Sequence, residues 1–239
     1  MNSDAIREEK QKIRERVWRL LESENAVSAS VTGRIPSFVG STAAAFRLSE
    51  HPAWRASRII KAVPDKAQMP VRELALKEGK GVYMAAPKLA ASKPFYFLDP
   101  EALTITPGEA AERRAAEEHA LPVDVQEMPP VDLVVCGSVA VNAKGARLGK
   151  GAGYADIEVA LLQEAGLIAR DVLIATTVHD LQVVDFEIPE SPHDFRVDLI
   201  VTPERLIECP PHERPQGILW ESLKPEMIAE IPALANRRP

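Results

Sequence analysis

Residues 145–156 read "GARLGKGAGYAD": four glycines within nine residues, in a chain that has only 12, set around Arg147 and Lys150 and followed by Asp156. Glycines let a backbone turn sharply and come close to a ligand, with N–H groups pointing inward. A helix beginning just after them would add its positive end. Arg147 and Lys150 bring full positive charges, and Asp156 is a hard oxygen donor able to share a magnesium ion with phosphates. The stretch reads as a phosphate-holding loop. It is neither of two common fingerprints: a P-loop needs four residues before its Gly-Lys pair and then Ser or Thr, and a dinucleotide loop needs G-x-G-x-x-G. The plainer alternative is a surface hairpin with solvated cations.

Two other groups could join that chemistry. Lys10 falls in register with Ile6, Ile13 and Val17 on the first amphipathic segment, and Arg14 lies one turn on. Like charges at i, i+4 repel each other, and a bound polyanion would relieve the repulsion. A snorkelling lysine beside a solvated arginine is the alternative. Farther on, "VHDLQVVDFEIPESPHDFRVDLIVTP" holds two His-Asp pairs, His179-Asp180 and His193-Asp194. Their spacing matches no standard zinc signature. Asp194 suits either a second magnesium carboxylate or a turn cap.

The elements that must position these residues follow from periodicity. "SDAIREEKQKIRERVWRLLESE" opens on a Ser3/Asp4 cap and predicts a helix with the stripe Ile6, Ile13, Val17, Leu20 and Leu21. After the irregular "VTGRIPSFVGS" comes a short helix, "TAAAFRLSEH". Strand-like "RIIKAV", "KGVYMAAP", "FYFL", "VDLVVCGSVAV", "DVLIATTV" and "VDLIVTPERLIE" then alternate with helical "PVRELALKEG", "GEAAERRAAEEHA" and "YADIEVALLQEAGL". "LPVDVQEMPP" reads as a proline-rich link. β-Branched runs without a polar face predict an α/β fold whose largely parallel or mixed sheet is covered on both sides. Ligands of such sheets sit beyond the carboxyl ends of the strands, which is where the glycine loop should lie.

With 46% hydrophobic and 27% charged residues the composition is that of a globular protein with a real core. A net charge of -6 argues against a general nucleic-acid binder while leaving room for a local anion pocket. The longest apolar run is too short to span a bilayer, and the first residues have no apolar leader core. The expected location is the cytoplasm. Cys136 and Cys209 suggest reduced, packed thiols with no disulfide framework. Residues 1–208 are expected to form one domain, and residues 209–239 a proline-rich extension packed on it.

Together, Lys10-Gln-Lys-Ile-Arg14, "GARLGKGAGYAD" and "PESPHDFRVDLIVTP" resemble the 5-formyltetrahydrofolate cyclo-ligases, also called methenyltetrahydrofolate synthetases. "RIPSFVGSTAAAFRL", "VPDKAQMPVRELALKEGK" and "PQGILWESL" are similar to a divergent branch, the methenyltetrahydrofolate synthetase domain-containing proteins. The resemblance implies a three-layer αβα domain like that of ribose-phosphate isomerase and CoA-transferase proteins, and the use of ATP and Mg²⁺. It implies that Lys10 and Arg14 contact nucleotide phosphates. It also implies that Arg147 and Lys150 act on the reacting phosphate, with Gly149, Gly151, Ala152, Gly153 and Tyr154 as the loop. Asp156 and Asp194 match the magnesium aspartates. The implied reaction closes 5-formyltetrahydrofolate to 5,10-methenyltetrahydrofolate, with a reduced folate as small-molecule partner and neither nucleic acid nor membrane involved.

Several positions depart from the family pattern. Tyr154-Ala155 replaces a tyrosine pair, Cys136-Gly137 replaces Pro-Gly, and the W/Y-G-I-x-E-P segment is absent. The glutamate that holds the pterin has no counterpart; its place falls near Ala67 or Gln68. Two other readings therefore fit the same residues: an enzyme using this phosphate site on another small heterocycle, one of thiamin metabolism included, and a nucleotide sensor.

Overall fold

Along the central strands, alternate residues face opposite ways, and both sides are apolar. Ile60, Val82, Met84, Leu133, Val135, Ala175, Leu199 and Val201 point to one layer, and Tyr83, Val134, Cys136, Ile174 and Ile200 to the other. That is the period-2 geometry of a sheet buried on both faces. The computed structural model describes residues 3–235 and Arg237; the last residues of the expected extension, 236, 238 and 239, lie outside the described residues.

In order the chain forms α1 (Ser3–Ser23), α2 (Ser41–Ser49), α3 (Pro52–Ala56), β1 (Ile59–Ala62), α4 (Met69–Lys77), β2 (Gly81–Ala85) and β3 (Phe95–Leu98). There follow α5 (Pro107–Ala110), α6 (Arg113–His119), β4 (Leu121–Val123), β5 (Leu133–Cys136), β6 (Ala140–Asn142), β7 (Arg147–Leu148) and α7 (Tyr154–Glu164). The last are β8 (Leu173–Thr177), β9 (Val183–Val184), β10 (Leu199–Val201), β11 (Leu206–Glu208), α8 (Pro225–Glu230) and α9 (Pro232–Ala235).

The main sheet has the order β11-β10-β8-β5-β1-β2-β3-β4. Strands β10, β8, β5, β1 and β2 are parallel, and antiparallel β11 and β3-β4 close the two edges. Helices α2 to α6 cover one face; α7 and the C-terminal segment cover the other. This is the three-layer αβα arrangement with a mostly parallel sheet. A small second sheet, β7-β6-β9, packs under α1 in a third cluster built on Ile13, Val17, Trp18 and Leu21.

Five local expectations change. "VDLVVCGSVAV" is two strands in two sheets: the Gln182 carboxamide donates to the carbonyls of Ser138 and Val139, which ends the ladder after β5. "GEAAERRAAEEHA" breaks into α5 and α6, because the carbonyl of Ala111 is taken by two N–H groups of buried Arg72 at 2.9 and 2.7 Å. The proline-rich link contains edge strand β4, and "VDLIVTPERLIE" folds back as the β10-β11 hairpin. On α1, Trp18 rather than Leu20 completes the buried stripe; Leu20 is 36% exposed.

Candidate functional site at the glycine loop

The four glycines divide into two kinds. Gly145 closes the β6-β7 turn at φ +83°, where an added Cβ would stand 2.2 Å from the carbonyl oxygen of Val197. It is a packing glycine outside the loop. Gly149, Gly151 and Gly153 shape residues 149–153 between β7 and α7; Gly151 and Gly153 take φ values of +100° and +76°. Only glycine adopts these values without strain. Gly153 is the N-cap of α7, so the loop ends on the positive pole of an 11-residue helix.

Three cations gather about this loop from two elements, Arg147 from β7 and Arg14 and Lys10 from α1. Arg147, on β7, has a side chain only 3% exposed. Its Nη1 donates to the carbonyl of Gly137 at the carboxyl end of β5, and its Nη2 lies 3.4 Å from Asp156 Oδ1. The guanidinium carbon sits 4.0 Å from the ring centre of Phe195, a cation–π stack. Arg14 Nε donates to the carbonyl of Gly149 at 2.8 Å, and an added Cβ on Gly151 would touch the same guanidinium. Lys10, buried on the same face of α1, pairs with Asp194 and donates to Ser191 Oγ at 3.1 Å. Lys150 points away into an exposed pair with Asp65 at 3.2 Å.

Charge is packed tightly here. Burial pushes the Asp156 carboxyl up, Arg147 pulls it back, and Asp194 pushes it up again, with a net rise. Burial lowers Arg14, and Arg147 lowers it further against the pull of Asp194. At this site two buried nitrogens find no partner among the described residues: Arg147 Nε and His193 Nδ1. Arginines crowded at a helix N-terminus, one with an orphan donor, are an arrangement that an oxyanion completes. Among the described residues no group of three or more His, Cys, Asp or Glu is placed to hold a metal. Two carboxylates are nevertheless enough for magnesium, which commonly keeps waters and takes its other oxygens from substrate phosphates.

The structure thus brings together Lys10, Arg14, Arg147, the loop, Asp156 and Asp194, while Lys150 stands at the rim and Tyr154 is half-buried on the core beside Ala155. His179 and Asp180 are elsewhere and structural: His179 caps a turn, and Asp180 accepts from Thr202 and Arg205. Nothing in the spacing singled out Ser191, whose N–H donates to Asp194 at 2.5 Å, or Phe195 under Arg147. A Ser three residues before an Asp is the turn signal that would have marked the first.

On the other side of Gly137 lies Gln68, fully buried. Its Nε2 donates to the carbonyl and Oγ1 of Thr177, both at 3.1 Å, and its Oε1 has no partner. Arg72, one turn on, is spent on the carbonyls of Val63, Asp65 and Ala111 and is closed to any ligand.

A three-layer α/β protein with a glycine loop, clustered cations and two carboxylates at the carboxyl edge of its sheet is the class that fold and site define. The chain belongs to the 5-formyltetrahydrofolate cyclo-ligase family, which it matches over residues 6–203. It is 38% identical to a mouse methenyltetrahydrofolate synthase domain-containing protein over 237 residues, 96% of this chain and 63% of that protein. Against the human protein of that description it is 36% identical over 246 residues, 100% of this chain and 63% of that protein. The chain therefore spans about three fifths of the length of these relatives. The solution structure of Aquifex aeolicus 5,10-methenyltetrahydrofolate synthetase aligns with a TM-score of 0.53 at 21% identity, covering 86% of this chain and 93% of that one. Among the described residues no helix is long and apolar enough to cross a membrane.

Proposed function

We propose that the protein closes 5-formyltetrahydrofolate to 5,10-methenyltetrahydrofolate with ATP as second substrate, releasing ADP and phosphate. The observation that carries this is the meeting of Lys10, Arg14 and Arg147 at the glycine loop and the N-terminus of α7. In this reaction the formyl oxygen attacks the γ-phosphorus of ATP and ADP departs, leaving an imidate-like phosphate ester. N10 of the folate then adds to the formyl carbon, loses its proton, and phosphate leaves as the ring closes. Such chemistry asks the protein for positioning and charge neutralisation rather than for a nucleophile. The loop N–H groups and Arg14 hold phosphate oxygens, Arg147 faces the charge that develops on the transferred group, and Lys150 swings from Asp65 onto the γ-phosphate. Asp156 and Asp194 would hold Mg²⁺, which when bound offsets phosphate charge.

The test is the near-ultraviolet absorbance of the methenyl product in a mixture of protein, Mg-ATP and 5-formyltetrahydrofolate. Lys150→Ala removes only an exposed ion pair, costing less than about 1 kcal/mol of stability, and should abolish turnover with the fold intact. Full turnover in that variant overturns the assignment of Lys150.

One observation favours a second reading, in which the same phosphate site serves a different heterocycle. In the fully buried position near which the family has its pterin-holding glutamate, a carboxamide, Gln68, stands with its oxygen unpaired. Absence of product, with Mg-ATP still raising the melting temperature, would select that reading.

A further inference from the structure

One flank of α7 faces away from the sheet, toward residues 215–227 of the C-terminal segment. Between them runs a small half-open slot with a cavity volume of about 90 Å³. Ile157 and Ala160 of α7 and Phe195 form one side; Ile218, Leu223 and Met227 form the other. Asp156 and His193 line the end of the slot where α7 begins, and Gln163 and Ser222 add further polar groups. That end is continuous with the glycine loop, since Met227 Cε stands 3.8 Å from where a Cβ on Gly153 would be. The unpartnered Nδ1 of His193 belongs to the same corner.

Such a lining is selective. Apolar walls exclude a charged group, because nothing inside repays its lost hydration. They admit an uncharged ring, and the nearness of the glycine loop lets that ring be one attached to an anion seated there. The walls from Ile218 to Met227 lie beyond residues 6–203, the part of the chain common to the family. The C-terminal segment is held in place independently of any ligand. Ile231 and Leu234 are buried in the α7 cluster, and the N–H groups of Gly217 and Ile218 donate to Gln163 and Glu164.

We propose that this slot is a ligand subsite for an uncharged heteroaromatic ring, and that the C-terminal segment decides which ring is admitted. The proposal rests on the phosphate reading of residues 149–153. The ring belongs either to the base of the nucleotide or to the second substrate.

Three ligands separate the cases by calorimetric titration: Mg-ATP, magnesium tripolyphosphate, which has phosphates and no ring, and 5-formyltetrahydrofolate. Ala160→Phe fills the slot from α7, and Leu223→Ala removes a wall from the other side, where little of the core depends on it. The expected result is that both variants weaken Mg-ATP, the first by about tenfold or more, with tripolyphosphate binding unchanged. Loss confined to 5-formyltetrahydrofolate supports the subsite with the second substrate as its source. Wild-type affinity for all three ligands in both variants overturns the subsite while leaving the phosphate site standing. A wild-type protein that binds neither Mg-ATP nor tripolyphosphate overturns the phosphate reading and the slot with it.

Discussion

Lys61 and Glu158 form an ion pair inside the protein, with side chains only 1% and 8% exposed. Lys61 lies mid-sheet on β1, registered between Val134 and Tyr83, on the face that α7 covers. Glu158 is on the second turn of α7, two residues past Asp156. Lys61→Met leaves a carboxylate in an apolar layer with no partner. Removing one member of such a pair costs about 3–5 kcal/mol, whereas replacing both by apolar side chains of similar size is near neutral or stabilising by about 1–4 kcal/mol. At about 2–4 °C per kcal/mol for a chain of this size, Lys61→Met should melt roughly 6–20 °C below the wild type. The double variant Lys61→Met/Glu158→Met should recover most of that.

The assay is urea unfolding at pH 7 of the wild type, both single variants and the double, with the slopes checked for constancy. A double-mutant cycle then isolates the coupling. If either single variant lost under about 1 kcal/mol, the pair would be hydrated or unformed and the reasoning would fail. The pair also bears on the site. It is a directional tie between the sheet and the helix whose N-terminus closes the loop, so the double variant, though stable, should show a smaller Mg-ATP shift in melting temperature.

Two further outcomes follow from the geometry. Gly145→Ala should destabilise by more than about 2 kcal/mol, since strain at positive φ alone costs about 1–2 kcal/mol and the new Cβ meets backbone at 2.2 Å; Gly33→Ala, at φ +75° with open space around it, should lose only the strain. Equal losses in urea unfolding would show that the contact with Val197 is unimportant. Burial pushes the Cys209 thiol up to about 11 from 9.0, and Cys136 is raised as well. Two units mean about 100-fold less thiolate at pH 8, so alkylation by iodoacetamide should be slow in the native protein, fast in urea, and should accelerate as pH rises toward 11. Rapid native labelling at pH 8 would contradict the packing of both thiols.

The layers of this fold were legible because the central strands are mostly apolar on both faces, with Lys61 in β1 and the Thr176-Thr177 end of β8 as interruptions, and a sheet covered on both faces uses such runs. What was not legible turns on single side chains acting from far along the chain. Nothing near residue 111 marks the end of α5; Arg72, 39 positions away, takes the carbonyl that a longer helix needs. Nothing near residue 137 divides one apolar run into two sheets; Gln182 does so from 44 and 43 positions away. The site follows the same rule. Lys10 and Arg14 could be placed on one helix face from spacing, and the loop could be read from its glycines, because both are local patterns. That Lys10 would meet Asp194, 184 residues on, comes from the third layer, where α1 packs on the small sheet that carries Arg147. The same cause divides the four glycines that made the motif conspicuous. Three answer to the loop, and Gly145 answers to the carbonyl of Val197, so a dense motif in sequence records two separate demands that only the tertiary contacts tell apart.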